Sequence, residues 1–312
     1  MIKTQNEQMK NIFALLDNVA QARSTILLCG ETGVGKEEMA KYIHQTSSRR
    51  KKPFIAVNCA AFPSELLESE LFGSQRGAFT GAHQDRVGQI EAAHEGTFLL
   101  DEISEMPFEL QGKLLRVIQE KEIVRLGSNE PKKVDVRFIC TTNRDLKEMV
   151  KENSFRGDLF YRINVVPVKI PSLRERYEDM QSITQFLIEK FCLENGVPCK
   201  ELDSAALTKI KKWAWPGNIR ELQNVIERSV LACTGDQLTA ENVLIDGFQE
   251  VRSLRLEPGM TIQEAEKILI LKTLQHTERN RTQAAKLLGI SIRTLRNKLN
   301  EYKLEGSHES NF

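Results

Sequence analysis

Long apolar runs are missing from this sequence, and their absence excludes an integral membrane protein. The longest runs are as short as Thr25–Cys29 and Thr97–Leu100, whereas a membrane span needs about 18 consecutive apolar residues. The N-terminus, Met1–Asn6, has no apolar segment behind its lysine and so does not resemble a secretory signal. We expect a soluble, cytoplasmic protein with no membrane partner.

Paired cysteines and a strong net charge are also missing. The six cysteines form no CxxC pair, and none has a histidine at zinc-ligand spacing. This predicts buried or half-buried free thiols in a reducing cytosol. The net charge is only +1, so any surface that binds nucleic acid must be local. With 40% hydrophobic and 28% charged residues, the composition is typical of a folded chain rather than a disordered one.

Two patterns divide the chain near Pro171. Before it, short apolar runs alternate with helical stretches, which predicts parallel βαβ units in an α/β fold. The predicted strands are Ser24–Cys29, Pro53–Asn58, Gly96–Leu100, Val134–Thr141 and Val165–Ile170. After it the strand signal stops, and helices are predicted at Ser182–Leu193, Ser204–Trp213 and Arg220–Leu231.

These patterns predict five segments. Residues 1–171 form an α/β subdomain with a parallel sheet, and residues 172–246 form an all-helical subdomain. Residues 247–260 form a linker that contains Pro258 and Gly259. Residues 261–305 form an all-α helix-turn-helix domain, and residues 306–312 are a flexible tail.

A glycine-rich turn follows the first predicted strand and opens a helix. It consists of Gly30, Glu31, Thr32, Gly33, Val34, Gly35 and Lys36. The glycines let the backbone curl so that its N–H groups and the helix N-terminus face phosphate oxygens. Lys36 is expected to reach the β- and γ-phosphates, so this context predicts an ATP-binding phosphate loop. Glu37, also among the predicted ATP-binding residues, stands where Ser or Thr ordinarily ligates magnesium.

Two acids, Asp101 and Glu102, directly follow the apolar strand that ends at Leu100. Because Glu37 replaces the usual magnesium ligand, these acids are the next candidates to bind magnesium. A strand tip beside the phosphate loop is where an aspartate holds Mg²⁺ through water, which predicts that role for Asp101. Glu102 is then placed to polarise the attacking water as a general base. The pair predicts an ATPase that uses ATP and Mg²⁺, although the strand end taken alone is equally typical of a solvated acidic turn.

A hexapeptide between these motifs identifies a family. Gly77, Ala78, Phe79, Thr80, Gly81 and Ala82 resemble the GAFTGA loop of sigma-54-dependent transcriptional activators, also called bacterial enhancer-binding proteins. Glu37 is the usual residue at its position in this family. The resemblance covers the chain from about Asn11 to Tyr302. It implies an AAA+ P-loop domain with a parallel sheet, an all-helical lid and a C-terminal Fis-type helix-turn-helix domain.

The hexapeptide itself has the character of a contact loop. Phe79 is an aromatic side chain between small residues with no local core to enter, which favours contact with a partner. The resemblance implies that residues 77–82 touch sigma-54 in its complex with RNA polymerase, and that Thr80 shapes the loop or contacts sigma directly. Gly77 and Gly81 would let the loop move with the nucleotide state. A second loop, Arg125–Lys133, matches the family's other nucleotide-coupled loop by position only.

Three further positions near the predicted nucleotide carry over from the family. Asn143 resembles the sensor I residue beside the γ-phosphate. Asn58 resembles the switch asparagine that pairs with the catalytic glutamate, here Glu102. Arg220 resembles the sensor II residue, which reports hydrolysis from the lid. One small departure is Glu95, which precedes Gly96 where the family more often has two glycines, and we expect no functional cost from it.

Two arginines imply an oligomer. Arg156 and Arg162 resemble arginine fingers, which reach the site of the neighbouring subunit and stabilise charge on the transferring phosphoryl group. Such an interface joins one surface of a subunit to a different surface of the next, so the subunits must close into a ring. The family therefore implies a homo-oligomeric ring, a hexamer or sometimes a heptamer. For each arginine taken alone, an ordinary surface charge is the alternative.

The C-terminal region reads as helix, turn, helix. The first helix is apolar at Ala284, Ala285, Leu287 and Leu288, and Gly289 follows its end. Ser291 suits the N-cap of the next helix, in which Leu295 and Leu299 are predicted to face the core. The predicted DNA contacts, most of them polar or basic residues of this second helix, are Thr282, Ser291, Arg293, Thr294, Arg296, Asn297 and Lys298.

The helix predicted before it, Thr261–Thr277, is apolar along one face. In the Fis-type fold the corresponding helix forms a dimer interface. The partner DNA is therefore expected to be a double-stranded site with two-fold repeat symmetry. A solvated helical hairpin is the alternative.

Together these features predict an ATP-dependent activator of sigma-54 RNA polymerase that binds upstream DNA and remodels the closed promoter complex through its GAFTGA loop. A general AAA+ remodelling ATPase and a DNA-binding repressor with an ATPase core are the alternatives. The expected start of the ATPase core near Asn11 leaves no room for a sensing domain ahead of it. Control by an inhibitor protein in trans, by expression level or by a removed N-terminal domain remains open.

Overall fold

The computed structural model describes residues 4–78, 84–245, 261, 266, 269, 270, 273, 274, 277 and 281–299. These belong to two units, residues 1–245 and 246–312, and each is described by itself. The predicted linker at 247–260, the predicted tail at 306–312 and most of the predicted helix Thr261–Thr277 lie outside the described residues. Within the described part, no helix combines the length and the apolar content needed to cross a membrane.

The strands of the first unit are β1 (Ile26–Cys29), β2 (Phe54–Asn58), β3 (Gly73–Ser74), β4 (Arg86–Val87), β5 (Thr97–Asp101), β6 (Glu122–Ile123), β7 (Lys132–Lys133), β8 (Arg137–Thr142), β9 (Val166–Lys169), β10 (Glu201–Leu202) and β11 (Gln237–Leu238). Its helices are α1 (Glu7–Ala20), α2 (Lys36–Thr46), α3 (Ser64–Phe72), α4 (Gln89–Ala92), α5 (Phe108–Glu120), α6 (Leu146–Lys151), α7 (Gly157–Ile163), α8 (Met180–Glu194), α9 (Ser204–Lys212) and α10 (Asn218–Ala232). Two 3-10 helices span Ile103–Glu105 and Leu173–Asp179.

Five strands form a parallel sheet in the order β2-β5-β8-β1-β9, which confirms the predicted α/β class. The central strand β8 is buried along its whole length, and β5 is buried except at Asp101, because helices cover both faces of the sheet. Since all five strands run the same way, their carboxyl ends meet at one edge. The residues that follow β1, β5 and β8 are therefore brought together there.

The predicted strand positions are confirmed, with small shifts at their ends. The largest shift is at β8, which begins at Arg137 rather than at Val134. The N–H of Val134 donates to the carbonyl of Lys121 at 2.8 Å, so this residue is bonded outside the main sheet. Antiparallel β6 and β7 form a small hairpin just before β8.

Just before β5, the backbone of Gly96 lies very close to the backbone of Pro53, and Glu95 precedes this close contact. A Cβ added at Gly96 would lie 2.2 Å from the carbonyl oxygen of Pro53, so no side chain fits there. Glu95 adopts φ 62°, a left-handed conformation that glycine adopts without steric cost. The Glu95 carboxylate pairs with Lys52 Nζ at 2.5 Å. A glutamate thus occupies a backbone position suited to glycine.

The subdomain predicted to be all-helical also contains the short parallel pair β10–β11, and its core packs around Trp215. This side chain is fully buried, and its indole N–H donates to the carbonyl of Ile210 at 2.8 Å. Helices α8 and α10 contribute apolar residues to the same core, among them Leu187 and Leu222. Burying the indole N–H with its partner avoids the cost of an unsatisfied donor.

All six cysteines are free, as predicted, but the expectation of burial is wrong for Cys199, which is exposed. This residue lies in the loop between α8 and β10, beyond the helical core. Cys59 and Cys140 lie in the main core, and burial raises the pKa of the Cys59 thiol to about 12.

In the second unit, the helices Arg281–Leu288 and 292–299 flank a turn at Gly289. Gly289 has φ 67°, the left-handed conformation typical of a residue just past a helix. The Ser291 hydroxyl accepts from the N–H of Thr294 at 3.0 Å, which confirms its predicted cap. Leu295 is fully buried as predicted, whereas Leu287 is 60% exposed and does not belong to this core.

Candidate nucleotide site

The phosphate loop connects the end of β1 to the start of α2. Gly33 and Gly35 have φ 81° and 99°, conformations that L side chains rarely adopt. The N–H of Gly30 donates to the carbonyl of Thr142 at 3.1 Å and ties the loop to the end of β8. Val34 is buried in the core beside α2, which anchors the middle of the loop. The sequence places glycine where the turn needs positive φ.

Lys36 is the most buried charged group of the site. It is 6% exposed, and its Nζ donates to the carbonyl of Gly30 at 2.9 Å. The same Nζ lies 3.0 Å from Glu102 Oε1, so the ammonium is paired with the predicted general base. A buried cation beside a glycine-rich turn that opens a helix suits an anionic ligand.

The two acids at the end of β5 are held by one buried hydroxyl. Thr141 Oγ1 donates to Asp101 Oδ1 at 2.6 Å and accepts from the N–H of Glu102 at 2.9 Å. Thr141 is fully buried in β8, the strand next to β5, and Glu102 has φ 52° as the chain leaves β5. The sequence reasoning missed this role of Thr141. The available signal was a hydroxyl at the end of a buried strand.

The predicted sensor and switch residues both reach this network. Asn143 donates through its N–H to Glu102 Oε2 at 3.1 Å, and its Nδ2 lies 3.2 Å from Thr32 Oγ1. The predicted pairing of Asn58 with Glu102 is wrong in this structure. Asn58 Nδ2 donates to Asp101 Oδ2 at 2.9 Å instead, because β2 and β5 are paired with these two residues opposite each other.

Glu37 lies apart from the acids. Its carboxylate is 56% exposed and lies 3.0 Å from Lys41 Nζ, one turn further along α2. The predicted contribution of Glu37 to ATP binding stays a prediction.

The residues present fit ATP with Mg²⁺. The described residues include no cluster of three metal-ligating side chains. Mg²⁺ in phosphate sites needs only one or two carboxylates, because phosphate oxygens and water complete its shell. Asp101, held by Thr141 and Asn58, supplies such a carboxylate. Lys36 and the backbone N–H groups of the loop supply the phosphate donors.

The lid contacts the phosphate loop directly. A Cβ added at Gly33 would lie 2.3 Å from the Gly217 carbonyl oxygen and 3.1 Å from Arg220 Cβ. The N–H of Ile219 donates to the Gly33 carbonyl at 3.0 Å. The predicted sensor II residue, Arg220, thus lies in the first turn of α10, beside the loop.

Arg156 and Arg162 lie at opposite ends of α7. Arg156 is its N-cap residue and forms a two-point contact with Asp158, with Nη2 to Oδ2 at 2.8 Å. Its guanidinium also lies 5.8 Å from the centre of the Phe108 ring. Arg162, in the last turn, is exposed. Neither arginine lies among the phosphate-loop contacts described above, and their predicted action on a neighbouring subunit stays a prediction.

The start of the GAFTGA loop is braced by the second predicted loop. Gly77 has φ 83°, and a Cβ added at Gly127 would lie 2.8 Å from Ala78 Cβ. The N–H of Gln75 donates to the carbonyl of Leu126 at 2.9 Å. Phe79, Thr80, Gly81 and Ala82 lie outside the described residues.

A buried carboxylate that the sequence reasoning missed holds this brace. Glu91, 9% exposed, accepts from Arg125 Nε at 2.9 Å and Nη2 at 2.8 Å, and also pairs with Lys132. The hydrogen bond from Arg125, with a smaller contribution from Lys132, holds the pKa of Glu91 below its ordinary value. Both cations belong to the second loop, so Glu91 ties that loop to α4.

The predicted DNA-contact residues of the second unit are mostly exposed. Thr282, Ser291, Arg293, Thr294, Arg296 and Asn297 all have exposed side chains. Lys298 differs, because its Nζ lies 2.6 Å from Glu266 Oε2. Exposure suits contact with DNA, and the individual contacts stay predictions.

Comparison with known families gives three matches in chain order. Residues 2–169 match the sigma-54 interaction domain, residues 174–253 match an AAA+ ATPase lid domain, and residues 261–302 match the bacterial regulatory proteins of the Fis family. The three matches account for nearly the whole chain.

Individual relatives are similar to this chain along nearly all of its length. The chain is 46% identical over 315 residues to the transcriptional regulatory protein FlbD of Caulobacter vibrioides, which covers 96% of this chain and 69% of that protein. It is 45% identical to the regulatory protein AtoC of Escherichia coli, over 97% of this chain and 68% of that protein. Its fold matches the crystal structure of NtrX from Brucella abortus in complex with ATP, with a TM-score of 0.71, 32% identity, and coverage of 96% of this chain and 68% of that one.

Proposed function

This chain belongs to the family of the sigma-54 interaction domain, and on that premise we propose that it hydrolyses ATP to activate transcription by sigma-54 RNA polymerase. One observation carries the proposal. Lys36, Asp101, Glu102 and Asn143 meet in one hydrogen-bonded network at the carboxyl edge of the sheet. These are the group types that phosphoryl transfer needs, namely a phosphate-binding cation, a metal-binding carboxylate, a base and a polar sensor.

The ion pair of Lys36 with Glu102 suggests how binding prepares hydrolysis. On binding ATP, Lys36 exchanges this carboxylate for phosphate oxygens, and Glu102 becomes available to polarise water. Asp101 would hold Mg²⁺, which neutralises charge on the phosphates. Thr141 keeps Asp101 and the backbone of Glu102 in place throughout.

The remaining parts of the proposal concern assembly. Arg156 and Arg162 complete the site of the next subunit in a closed ring, a hexamer or a heptamer. The second unit binds a two-fold repeat in upstream double-stranded DNA as a dimer. Residues 77–82 contact sigma-54 and couple ATP hydrolysis to remodelling of the closed promoter complex. The protein acts in the cytoplasm, and an inhibitor protein acting in trans is a candidate regulator.

The first test asks whether sigma-54 is the partner. The purified protein is mixed with sigma-54 and ADP–aluminium fluoride, which mimics the transition state of hydrolysis. A stable complex that forms only with the mimic is expected, because the loop is coupled to the nucleotide. A protein that hydrolyses ATP but forms no such complex would instead be a general AAA+ remodelling ATPase.

The second test isolates the loop. Thr80→Ala is expected to abolish transcription activation while ATP hydrolysis and DNA binding survive, and Thr80→Ser, which keeps the hydroxyl, serves as the matched control. Full activation by Thr80→Ala would show that the loop assignment is wrong. Promoter repression by the wild-type protein would favour the DNA-binding repressor.

A further inference from the structure

The Glu31 side chain, in the phosphate loop, is held by two residues of the lid. Arg174 Nη1 donates to Glu31 Oε2 at 2.9 Å, and Arg174 Nη2 contacts Oε1 of the same carboxylate. Asn218 Nδ2 donates to Glu31 Oε2 at 3.1 Å. A two-point contact between a guanidinium and a carboxylate fixes the orientation of both groups. The hydrogen bond from Arg174 also keeps the pKa of Glu31 below its ordinary value, so the carboxylate is charged near neutral pH.

Asn218 links the loop to two parts of the lid at once. It is fully buried, its Nδ2 donates to the Thr32 carbonyl at 3.0 Å, and its Oδ1 accepts from the N–H of Leu173 at 2.8 Å. Its backbone has φ 53°, a conformation that asparagine tolerates better than most residues. The side chain therefore joins the phosphate loop, the segment after β9 and the start of α10.

These contacts use the stretch of backbone that is expected to bind phosphate. The carbonyls of Thr32 and Gly33 accept from Asn218 and from the N–H of Ile219. N–H groups of the same stretch are the ones expected to bind the phosphates. Arg220 follows two residues after Asn218, so one short segment of the lid carries both the contacts to the loop and the predicted sensor.

We infer that Arg174 and Asn218 are positioning residues that set nucleotide affinity by clamping Glu31 of the phosphate loop to the lid. The inference rests on the ATP-binding part of the proposed function and is independent of sigma-54. It assigns the clamp no contact with the nucleotide. The clamp acts through the conformation of residues 31–35 and through the placement of Arg220.

A purely structural role is separable, because other contacts attach the lid to the core. Arg176 is 5% exposed, and its Nη2 donates to the Val34 carbonyl at 2.8 Å. Asp179 Oδ1 accepts from the N–H of Gln5 at 2.6 Å, ahead of α1. These contacts remain when Arg174 is changed. We therefore expect an Arg174 variant to fold with the lid attached.

The experiment is a double-mutant cycle on the full chain, with ADP affinity measured by calorimetry and Tm measured alongside. Arg174→Gln and Glu31→Gln are each expected to weaken ADP binding by about 5- to 10-fold. Arg174→Gln is also expected to raise the KM for ATP by a similar factor, while its kcat and Tm change little. The double variant is expected to bind ADP no more weakly than either single variant, because both changes break the same link. Arg86→Gln, which removes an exposed arginine paired with Glu70, is the matched control.

Each outcome decides the inference. An unchanged ADP affinity in folded Arg174→Gln would overturn it and leave the proposed function intact. Additive losses in the double variant would also overturn it, since Arg174 would then act without Glu31. If the four proteins of the cycle show the expected ADP affinities but the wild type forms no complex with sigma-54, the clamp is supported and the proposed partner is rejected. Asn218→Asp, which keeps the left-handed backbone but replaces the donor with a carboxylate facing Glu31, should weaken ADP binding further.

Discussion

At the carboxyl edge of the sheet the charged side chains face one another, whereas on α7 they are exposed. Lys36 and Glu102 are 6% and 17% exposed and pair at 3.0 Å. Arg156 is 38% exposed and is held by Asp158, a neighbour on its own helix. In the first arrangement, both partners of the ion pair belong to the same chain. The second leaves guanidinium groups at the surface, where the neighbouring chain of the proposed ring would contact them.

The largest expected effect tests whether the α7 arginines act between chains. Arg162→Ala should lower kcat for ATP hydrolysis by about 10³-fold or more, because an arginine finger stabilises charge on the transferring phosphoryl group. Mixing Arg162→Ala with Glu102→Gln should restore part of the activity. Some interfaces in a mixed ring combine an intact Glu102 with an intact Arg162.

Steady-state ATPase assays on each variant and on the mixture measure this effect, and native mass spectrometry confirms that mixed rings form. Mixed rings without recovered activity would place Arg162 in the site of its own chain. Surface exposure of Arg162 would then not indicate a role in a neighbouring chain.

The next largest effect is expected at the buried ion pair of Lys36 and Glu102. Glu102→Gln should lower kcat by about 10²- to 10⁴-fold, because the amide cannot accept a proton from water. ADP affinity, measured by calorimetry, should be retained. Glu105→Gln is the control, since that acid lies three residues later and pairs with Arg144 at 3.0 Å. Equal losses in both variants would show that the effect is not specific to the network around Lys36.

The same contrast between paired and exposed cations extends to the second unit. Arg296 is exposed, whereas Lys298 is paired with Glu266. We expect Arg296→Ala to weaken binding to the specific DNA site by about 1–3 kcal/mol, and Lys298→Ala to have a smaller effect. Fluorescence anisotropy titrations at two salt concentrations measure both. If Lys298→Ala loses more DNA affinity than Arg296→Ala, then an ion pair within the chain does not show which cation stays away from the DNA.

The smallest effect is a pH dependence of stability. The pKa of Glu91 is lowered, first by its hydrogen bond from Arg125, so its pairing stabilises the fold above the unfolded pKa and this stabilisation is lost as the pH falls through the folded pKa. Near neutral pH, Glu91→Gln should cost about 1–2 kcal/mol of unfolding free energy. That difference should shrink as the pH falls below the ordinary glutamate pKa of 4.5 and through the lower folded pKa. Urea unfolding of both proteins measures it, and a difference that stays constant with pH would argue against an ionised Glu91.

Much of the fold and of the nucleotide site was predictable from the sequence. The predicted strands occur in the structure because each is a short, apolar run bounded by turn residues. The phosphate loop, Asp101 and Glu102 were predictable because their positions relative to β1, β5 and α2 follow from local sequence. The contacts of Thr141, Glu91 and Arg174 were not, because their partners lie 34 to 143 residues away along the chain.

The order of elements, the glycine-dependent turns and the chemical types of the site residues therefore follow from the sequence, since these depend on neighbours along the chain. Which groups contact one another depends on the tertiary structure. Parallel pairing of β2 with β5 set Asn58 opposite Asp101 rather than Glu102. Packing of the lid on the loop brought Arg174 and Asn218 to Glu31. Such pairings depend on strand register and helix packing, which arise from the burial of apolar surface across the whole domain.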